Sequence, residues 1–263
     1  MHRRKFGQYE NSYGHSWSNH LLEIVYSTLV NSFSIGWLVL MTFFSLNMAH
    51  GQEEQVFEGI PFVEIQGRPY ISGSATHDLF RIANEKERVV PLNHTFWFSK
   101  YEVTQAQWLA IMDYNPSQTK ALGPVQNLPV ESITWYEAKL FVEKLNEQAG
   151  HSVYRLPTEA EWEYVAKAGS QQAWFFGSSS DLISLYAHRD QFLPAIVGSK
   201  LPNPLGIHDL YGNVYEWCED WYRSIIPPQQ GYCLPTEGEY KVLKGGSNTC
   251  SDKYLRAASR QFA

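Results

Sequence analysis

The chain has 263 residues, and 27 Asp and Glu against 21 Lys and Arg give a formal net charge of −6. No Lys/Arg cluster follows residue 51, so the basic footprint of a nucleic-acid binder is missing and nucleic acid is not an expected partner. Aromatic residues make up 15%, with nine Trp, which suits a loop-rich fold pinned by large side chains.

Residues 34–48 form an apolar run, shorter than the ~20 residues that a membrane-spanning helix needs. Arg3, Arg4 and Lys5 lie far upstream, and Ala49-His50-Gly51 puts small residues at the −3 and −1 positions of a cleavage site. The expectation is a signal peptide with a long polar leader over 1–51, removed to leave a domain over 52–263. The alternative is an uncleaved anchor, in which case the chain meets a membrane. Either way the expected location is secreted, periplasmic or cell envelope. About 212 residues then remain, enough for one sizeable core or two small ones.

Residues 61–74 alternate apolar and polar positions and end at Gly73, which predicts a strand and turn. Residues 89–100 predict a second strand. Three helix starts follow, each with a Thr and, three residues on, a Gln or Glu. Thr104 with Gln107 opens a helix through Trp108 and Ile111. Thr134 with Glu137 opens one that carries Ala138, Phe141, Val142 and Leu145 on one face and stops at Gly150. Thr158 with Glu161 opens a third, burying Trp162 and Val165 and stopping at Gly169. In each, the Thr hydroxyl caps an early amide while the Gln or Glu reaches back. Periodicity then fades over 170–238, and a stretch that long is usually functional or held by ions or disulfides. Residues 239–247 predict a late strand ending in a turn.

The three cysteines, Cys218, Cys233 and Cys250, fall in the last fifth of the chain. In an oxidising compartment they allow one disulfide and a free thiol, or three free thiols. Their spacing matches no zinc knuckle, and no histidine pair has His-x-x-x-His spacing. No Ser-His-Asp ordering, phosphate loop or Gly-x-Ser-x-Gly elbow is present.

Several motifs occur in order: Glu102-Val103-Thr104, Pro129-Val130, Trp135, Arg155-Leu156-Pro157-Thr158-Glu159-Ala160-Glu161-Trp162-Glu163, Gly212-Asn213-Val214-Tyr215-Glu216-Trp217, Gly245-Gly246-Ser247 and Arg256-Ala257-Ala258-Ser259-Arg260. In these the chain resembles the formylglycine-generating enzyme, or sulfatase-modifying factor, family over about residues 60–260. The resemblance implies an α+β fold, irregular, loop-rich and C-type-lectin-like. It implies a range of activities: oxidation of a sulfatase cysteine to formylglycine with copper and oxygen, sulfoxide synthesis when fused to an iron-binding helical domain, periplasmic siderophore maturation, or no known chemistry. Iron-dependent sulfoxide synthesis is not expected, because no segment of this sequence reads as that helical domain with its histidine ligands.

On this resemblance Cys250 matches the first of two copper(I) cysteines, and soft thiolates suit that ion. The second falls at Leu255, which cannot ligate; anchoring the alignment on Arg256 to Arg260 deletes it instead. Cys218 or Cys233 substitutes only if the fold brings it near, and Cys250 as a disulfide partner or idle residue is the competing reading. Ser247 matches a serine near the copper site, and Tyr215 stands where many relatives have a Trp lining the peptide groove. Asp209, Gly212, Val214 and Glu216 match a calcium site in which two carboxylates and two carbonyls supply hard oxygens. A second family calcium site is not expected, because Ala187 is followed by His188 rather than Asn. Glu159, Glu161 and Glu163 are read as capping and helix-dipole residues and Arg155 as half of an ion pair. Relatives continue beyond the last arginine to a Gly-Phe-Arg strand. This chain stops at Ala263, so the domain is expected to be truncated there or to lack a closing strand. The expected function is a formylglycine-generating-type oxidase, weak or divergent, acting on a cysteine of a sulfatase or other exported protein. The alternative is a non-catalytic binding or scaffold domain at the cell envelope.

Overall fold

The computed structural model describes residues 52–119, 127–224 and 236–263. The leader over 1–51 and Cys233 lie outside the described residues.

Three small sheets and three longer helices carry the fold. Strands β1 (Glu54–Phe57), β2 (Ile60–Gln66) and β5 (Thr95–Ser99) form one antiparallel sheet in the order β1-β2-β5. Strands β3 (Tyr70–Ser72) and β4 (Arg88–Val90) form a second. The strands expected over 61–74 and 89–100 are thus each divided between two sheets. Gly67 marks the first break: a Cβ there would stand 2.5 Å from the His94 carbonyl oxygen, so only glycine lets the two chains pass. Within the first sheet the register sets Val63 opposite Phe98 and Ile65 opposite Phe96, and all four side chains are buried.

The helices are α1 (Gln105–Met112), α2 (Trp135–Ala149) and α3 (Glu159–Lys167). All three open on the expected capping boxes, with Thr104, Thr134 and Thr158 each accepting from the amide three residues on. Gly150 ends α2 at φ 76°, while α3 stops at Ala168, one residue before Gly169. One core joins Trp162 and Val165 of α3 to Trp174, Ile183, Tyr211, Val242 and Leu255. A second joins Ile60, Trp108, Met112, Phe141 and Leu145, where Trp108 and Phe141 stack with ring centres 5.1 Å apart.

Within 170–224 and 236–238 the described residues are mostly irregular, but they hold a short helix α4 (Ile183–Tyr186) and strand β6 (Glu216–Trp221). Strand β7 (Lys241–Lys244) is the expected late strand, and it pairs with β6 on one side and with β8 (Gln261–Phe262) on the other. Phe262 of β8 stacks on Tyr222 at 4.4 Å between ring centres.

In the acidic run of α3, Glu161 caps the helix as expected, whereas Glu159 and Glu163 are held by distant partners. Glu161 accepts from Arg155, His94 and its own cap residue, and these bonds hold its carboxyl down at about 2 against the raising effect of burial. Glu159 pairs with Arg260, and Glu163 accepts from Ser72 and the Gly73 amide. Arg256, 2% exposed, spends its guanidinium on Glu85, Asp78, Ser74 and the carbonyls of Lys253 and Phe80. These buried clasps tie the irregular half of the chain to the strands.

Candidate functional site

Strand β7 runs straight into Gly245 and Gly246, whose φ of 83° and 78° turn the chain sharply. A Cβ on Gly246 would meet Leu255 Cδ2 at 2.5 Å, so the turn is packed as well as bent. The bend presents Ser247 and Cys250 on one short loop, closed by a Cys250 amide to Ser247 carbonyl bond of 3.0 Å. The preceding loop uses left-handed conformations at Asp209, Gly212 and Asn213 to aim Tyr215 at the same place. Gly212 is required twice over, by φ 92° and by the His188 carbonyl oxygen, which a Cβ would approach to 2.1 Å.

Tyr215, Ser247 and Cys250 therefore converge. The Tyr215 hydroxyl lies 3.1 Å from Cys250 Sγ, and the Ser247 hydroxyl lies 3.2 Å from it. Burial, then the contact with the sulfur, pushes the Tyr215 phenol well above its ordinary range, so it keeps its proton at neutral pH. Cys250 is half-buried and reachable, whereas Cys218 is sealed in the core on β6. Neither of these two is in a disulfide. Leu255 is fully buried in the main core, so its position serves packing. The described residues offer copper one partly exposed thiol, Cys250, and a single thiol does not make a copper site without a second soft ligand.

Of the residues expected to hold calcium, the two acids Asp209 and Glu216 lie close enough to repel each other, with a third acid that the sequence reading missed. Asp209 is buried. One carboxylate oxygen accepts from the Gly198 amide at 2.6 Å, while the other is buried without a hydrogen-bond partner. Glu216 accepts from Trp162 Nε1 at 3.0 Å. Glu102 enters from the start of α1, accepting from the Val214 amide at 3.1 Å and from Asn213 Nδ2 at 2.6 Å. Burial, and then mutual repulsion, raises the acids: Asp209 to about 6, mainly by burial, Glu216 to about 7 with help from the Asp209 charge, and Glu102 well above its ordinary value. Among the described residues, no three His, Cys, Asp or Glu side chains stand together closely enough to form a metal cage on their own. A hard cation held by Asp209, Glu216 and the carbonyls of Gly212 and Val214 fits the orphaned Asp209 oxygen and the uncompensated charge.

Glu102, Val214, Tyr215, Glu216 and Trp217 line a cleft of about 720 Å³, together with Phe62 and Phe98. Tyr215 thus faces the cleft and also touches the Cys250 sulfur.

A model of the sulfatase-modifying factor enzyme 1-like domain matches residues 52–263. The chain belongs to that family. The resemblance read from its motifs is borne out, and so is the irregular α+β architecture. The chain is 31% identical over 208 residues to the chaperone protein LppX of Paenibacillus barcinonensis, covering 57% of this chain and 68% of that one. It is 32% identical over 157 residues to the formylglycine-generating enzyme of Streptomyces coelicolor, covering 51% of this chain and 47% of that enzyme. Against the serine/threonine-protein kinase pkn1 of Chlamydia pneumoniae it spans only 21% of the kinase's length. Among solved structures it is similar to Treponema denticola variable protein 1, at 26% identity and TM-score 0.69, covering 81% of this chain and 93% of that one. PvdO from Pseudomonas aeruginosa shares the fold at TM-score 0.70 and 21% identity, covering 81% of this chain and 92% of that one.

Proposed function

We propose that the domain is a divergent formylglycine-generating-type oxidase whose reactive thiol is Cys250, acting on a cysteine of a sulfatase or other exported protein. One observation carries the reading: two hydroxyls, from Tyr215 and Ser247, meet the sulfur of a reachable cysteine. Such a frame orients the sulfur through two hydrogen bonds and leaves one side of it for an incoming substrate thiol. The similarity to formylglycine-generating enzymes supports the reaction class. In that reaction the substrate cysteine's Cβ becomes an aldehyde carbon and its sulfur leaves as hydrogen sulfide. Dioxygen takes two electrons from the cysteine and two from a pair of external thiols, which become a disulfide, and one water forms. Copper(I), when bound, would supply the activation of dioxygen. On this reading the protein is exported, as the apolar run and the small residues before position 52 suggest. Calcium at Asp209, Gly212, Val214 and Glu216 is part of the same proposal, as an ion that holds the loop behind Tyr215.

Leu255 favours a second reading, a non-catalytic binding module of the cell envelope, because it fills with core packing the place where a second thiol is expected. One experiment separates the two. The full chain is incubated with copper(I), dioxygen, excess thiol and a peptide carrying Cys-x-Pro-x-Arg, and aldehyde is captured as a hydrazone. The oxidase reading expects hydrazone that Cys250→Ser abolishes. A folded protein that binds no copper and makes no hydrazone sinks it and leaves the binding module.

A further inference from the structure

We propose that the cleft between the first sheet and α2 is a binding site for a small uncharged molecule, mostly hydrocarbon or aromatic, that carries one carbonyl-type acceptor. The site does not use Cys250, and it stands whichever reading of the thiol loop holds.

The cleft lies where the two cores stop short of each other. Phe96, Phe98 and Leu210 of the first core line it, and so do Ile60, Phe141 and Leu145 of the second. Side chains of this kind normally close on one another, because protein interiors leave few voids larger than a water molecule. Here they stand around about 720 Å³. Small-molecule pockets, apolar with a few placed polar groups, occupy roughly 300–1,000 Å³. Water gains little from such a wall, whereas an apolar molecule removes it from water.

Trp108 supplies the polar contact. It is 1% exposed, it lines the same cleft, and its Nε1–H has no hydrogen-bond partner among the described residues. Other indoles of the fold are satisfied. Trp135 donates to the Cys218 carbonyl, Trp162 to Glu216, Trp174 to the Leu255 carbonyl and Trp217 to the Ile133 carbonyl. A buried N–H left unpaired is costly, and an indole can only donate, so an acceptor is what the site lacks. Phe141 stacks flat against the Trp108 ring with centres 5.1 Å apart, which holds the N–H edge in one orientation.

The charges along the wall select against ions. Arg155 is bound to Glu161 through two hydrogen bonds. Glu102 accepts from the Val214 amide and Asn213, Glu216 from Trp162, and Glu58 from Gln148. An anion would meet these carboxylates and one guanidinium that is already committed. A cation would compete with the donors that the carboxylates hold, and Trp108 has no acceptor to give it. A neutral acceptor on an apolar body meets neither obstacle.

The probe is an acyl dimethylaminonaphthalene, a neutral ketone whose emission moves to the blue in apolar surroundings. It is titrated into the full chain beside the same naphthalene without its acyl group and a carboxylate analogue. The ketone is expected to bind with a blue shift, the deacylated compound about fivefold more weakly and the carboxylate at least about tenfold more weakly. Trp108→Phe keeps a ring and removes the N–H. It should weaken the ketone about fivefold and leave the deacylated compound unchanged. Ala138→Leu narrows the cleft from α2 and should weaken both, whereas Cys250→Ser should bind both as the native chain does. An isotope label on the ketone carbonyl gives a readout with the native chain alone: its infrared stretch should move to the lower frequency of a hydrogen-bonded ketone. No ketone binding, a carboxylate that binds as well, or an unshifted carbonyl stretch overturns the proposal. So does equal weakening of both neutral compounds by Trp108→Phe, or indifference to Ala138→Leu, which would place the probe elsewhere. Displacement of the ketone by excess Cys-x-Pro-x-Arg peptide also overturns it, by making the cleft part of the thiol loop's own groove.

Discussion

Replacing Arg256 by Met should cost more stability than almost any other single change in this domain. The guanidinium is 2% exposed and the partner Glu85 side chain is fully buried, with bonds of 2.8 Å to both Glu85 oxygens. Asp78, Ser74 and the carbonyls of Phe80 and Lys253 use the remaining donors. Methionine fills similar space but leaves a carboxylate stranded away from water, and breaking a buried pair in this way costs about 3–5 kcal/mol. Against a total stability of about 5–15 kcal/mol, that is a large fraction. With a urea slope of about 2 kcal/mol/M, the midpoint falls by about 1.5–2.5 M. Lys100→Ala serves as the control, because Lys100 pairs with Glu54 at side-chain exposures of 22% and 46%. That pair should contribute ~0–1 kcal/mol. The double variant Arg256→Met/Glu85→Gln removes the stranded charge and should recover part of the loss. If Arg256→Met shifts the urea midpoint no further than Lys100→Ala does, the reasoning about the buried clasp is wrong.

Three further outcomes follow from the same geometry. Gly212→Ala should unfold at far lower temperature than Gly150→Ala, because the added methyl would sit 2.1 Å from the His188 carbonyl oxygen in one case and in open space in the other. The Gly150 change should cost only about 1–2 kcal/mol, from its left-handed backbone. Thr158→Ala removes the first half of the α3 capping box and should cost about 1 kcal/mol in urea unfolding, with helix content otherwise kept. Without calcium, stability should fall as pH rises from 4.5 to about 7, since Glu216 titrates at about 7 when folded against an ordinary 4.5. A raised acid favours the folded state only while it keeps its proton, so the loss is complete above its folded value. Calcium added at pH 8 should restore the stability by pairing with the ionised acids, and a chelator should remove it again. Equal unfolding midpoints at pH 5 and pH 8 in chelator would contradict this assignment.

The helices were legible because their starting signals are local. Thr104, Thr134 and Thr158 each carry the capping partner three residues on, and nothing from the rest of the chain is needed to complete the box. The strands were less so, because pairing decides them. The runs over 61–74 and 89–100 alternate well, yet crowding at Gly67 and divided pairing send each into two sheets. Strand β6 reads as Glu-Trp-Cys-Glu-Asp-Trp, charged and irregular, and becomes a strand by pairing with β7 across a register shift. Tyr215, Ser247 and Cys250 could be named from motif positions, but their meeting depends on a turn at Gly245-Gly246 and a loop with three left-handed residues. Glu102 was visible only as part of a motif. It lies more than a hundred residues from Val214 and joins the acid group through the Asn213 side chain, a contact that no local pattern encodes.

Site-resolved thiol labelling under native conditions tests the central claim most directly. The folded chain, reduced gently and treated briefly with iodoacetamide, is digested and each cysteine is quantified by mass spectrometry. The account predicts that Cys250 is alkylated rapidly, that Cys218 is protected until the protein unfolds, and that Tyr215→Phe changes the rate at Cys250 alone. Labelling of Cys218 as fast as Cys250, or Cys250 found already locked in a disulfide, would contradict a reachable thiol framed by Tyr215 and Ser247.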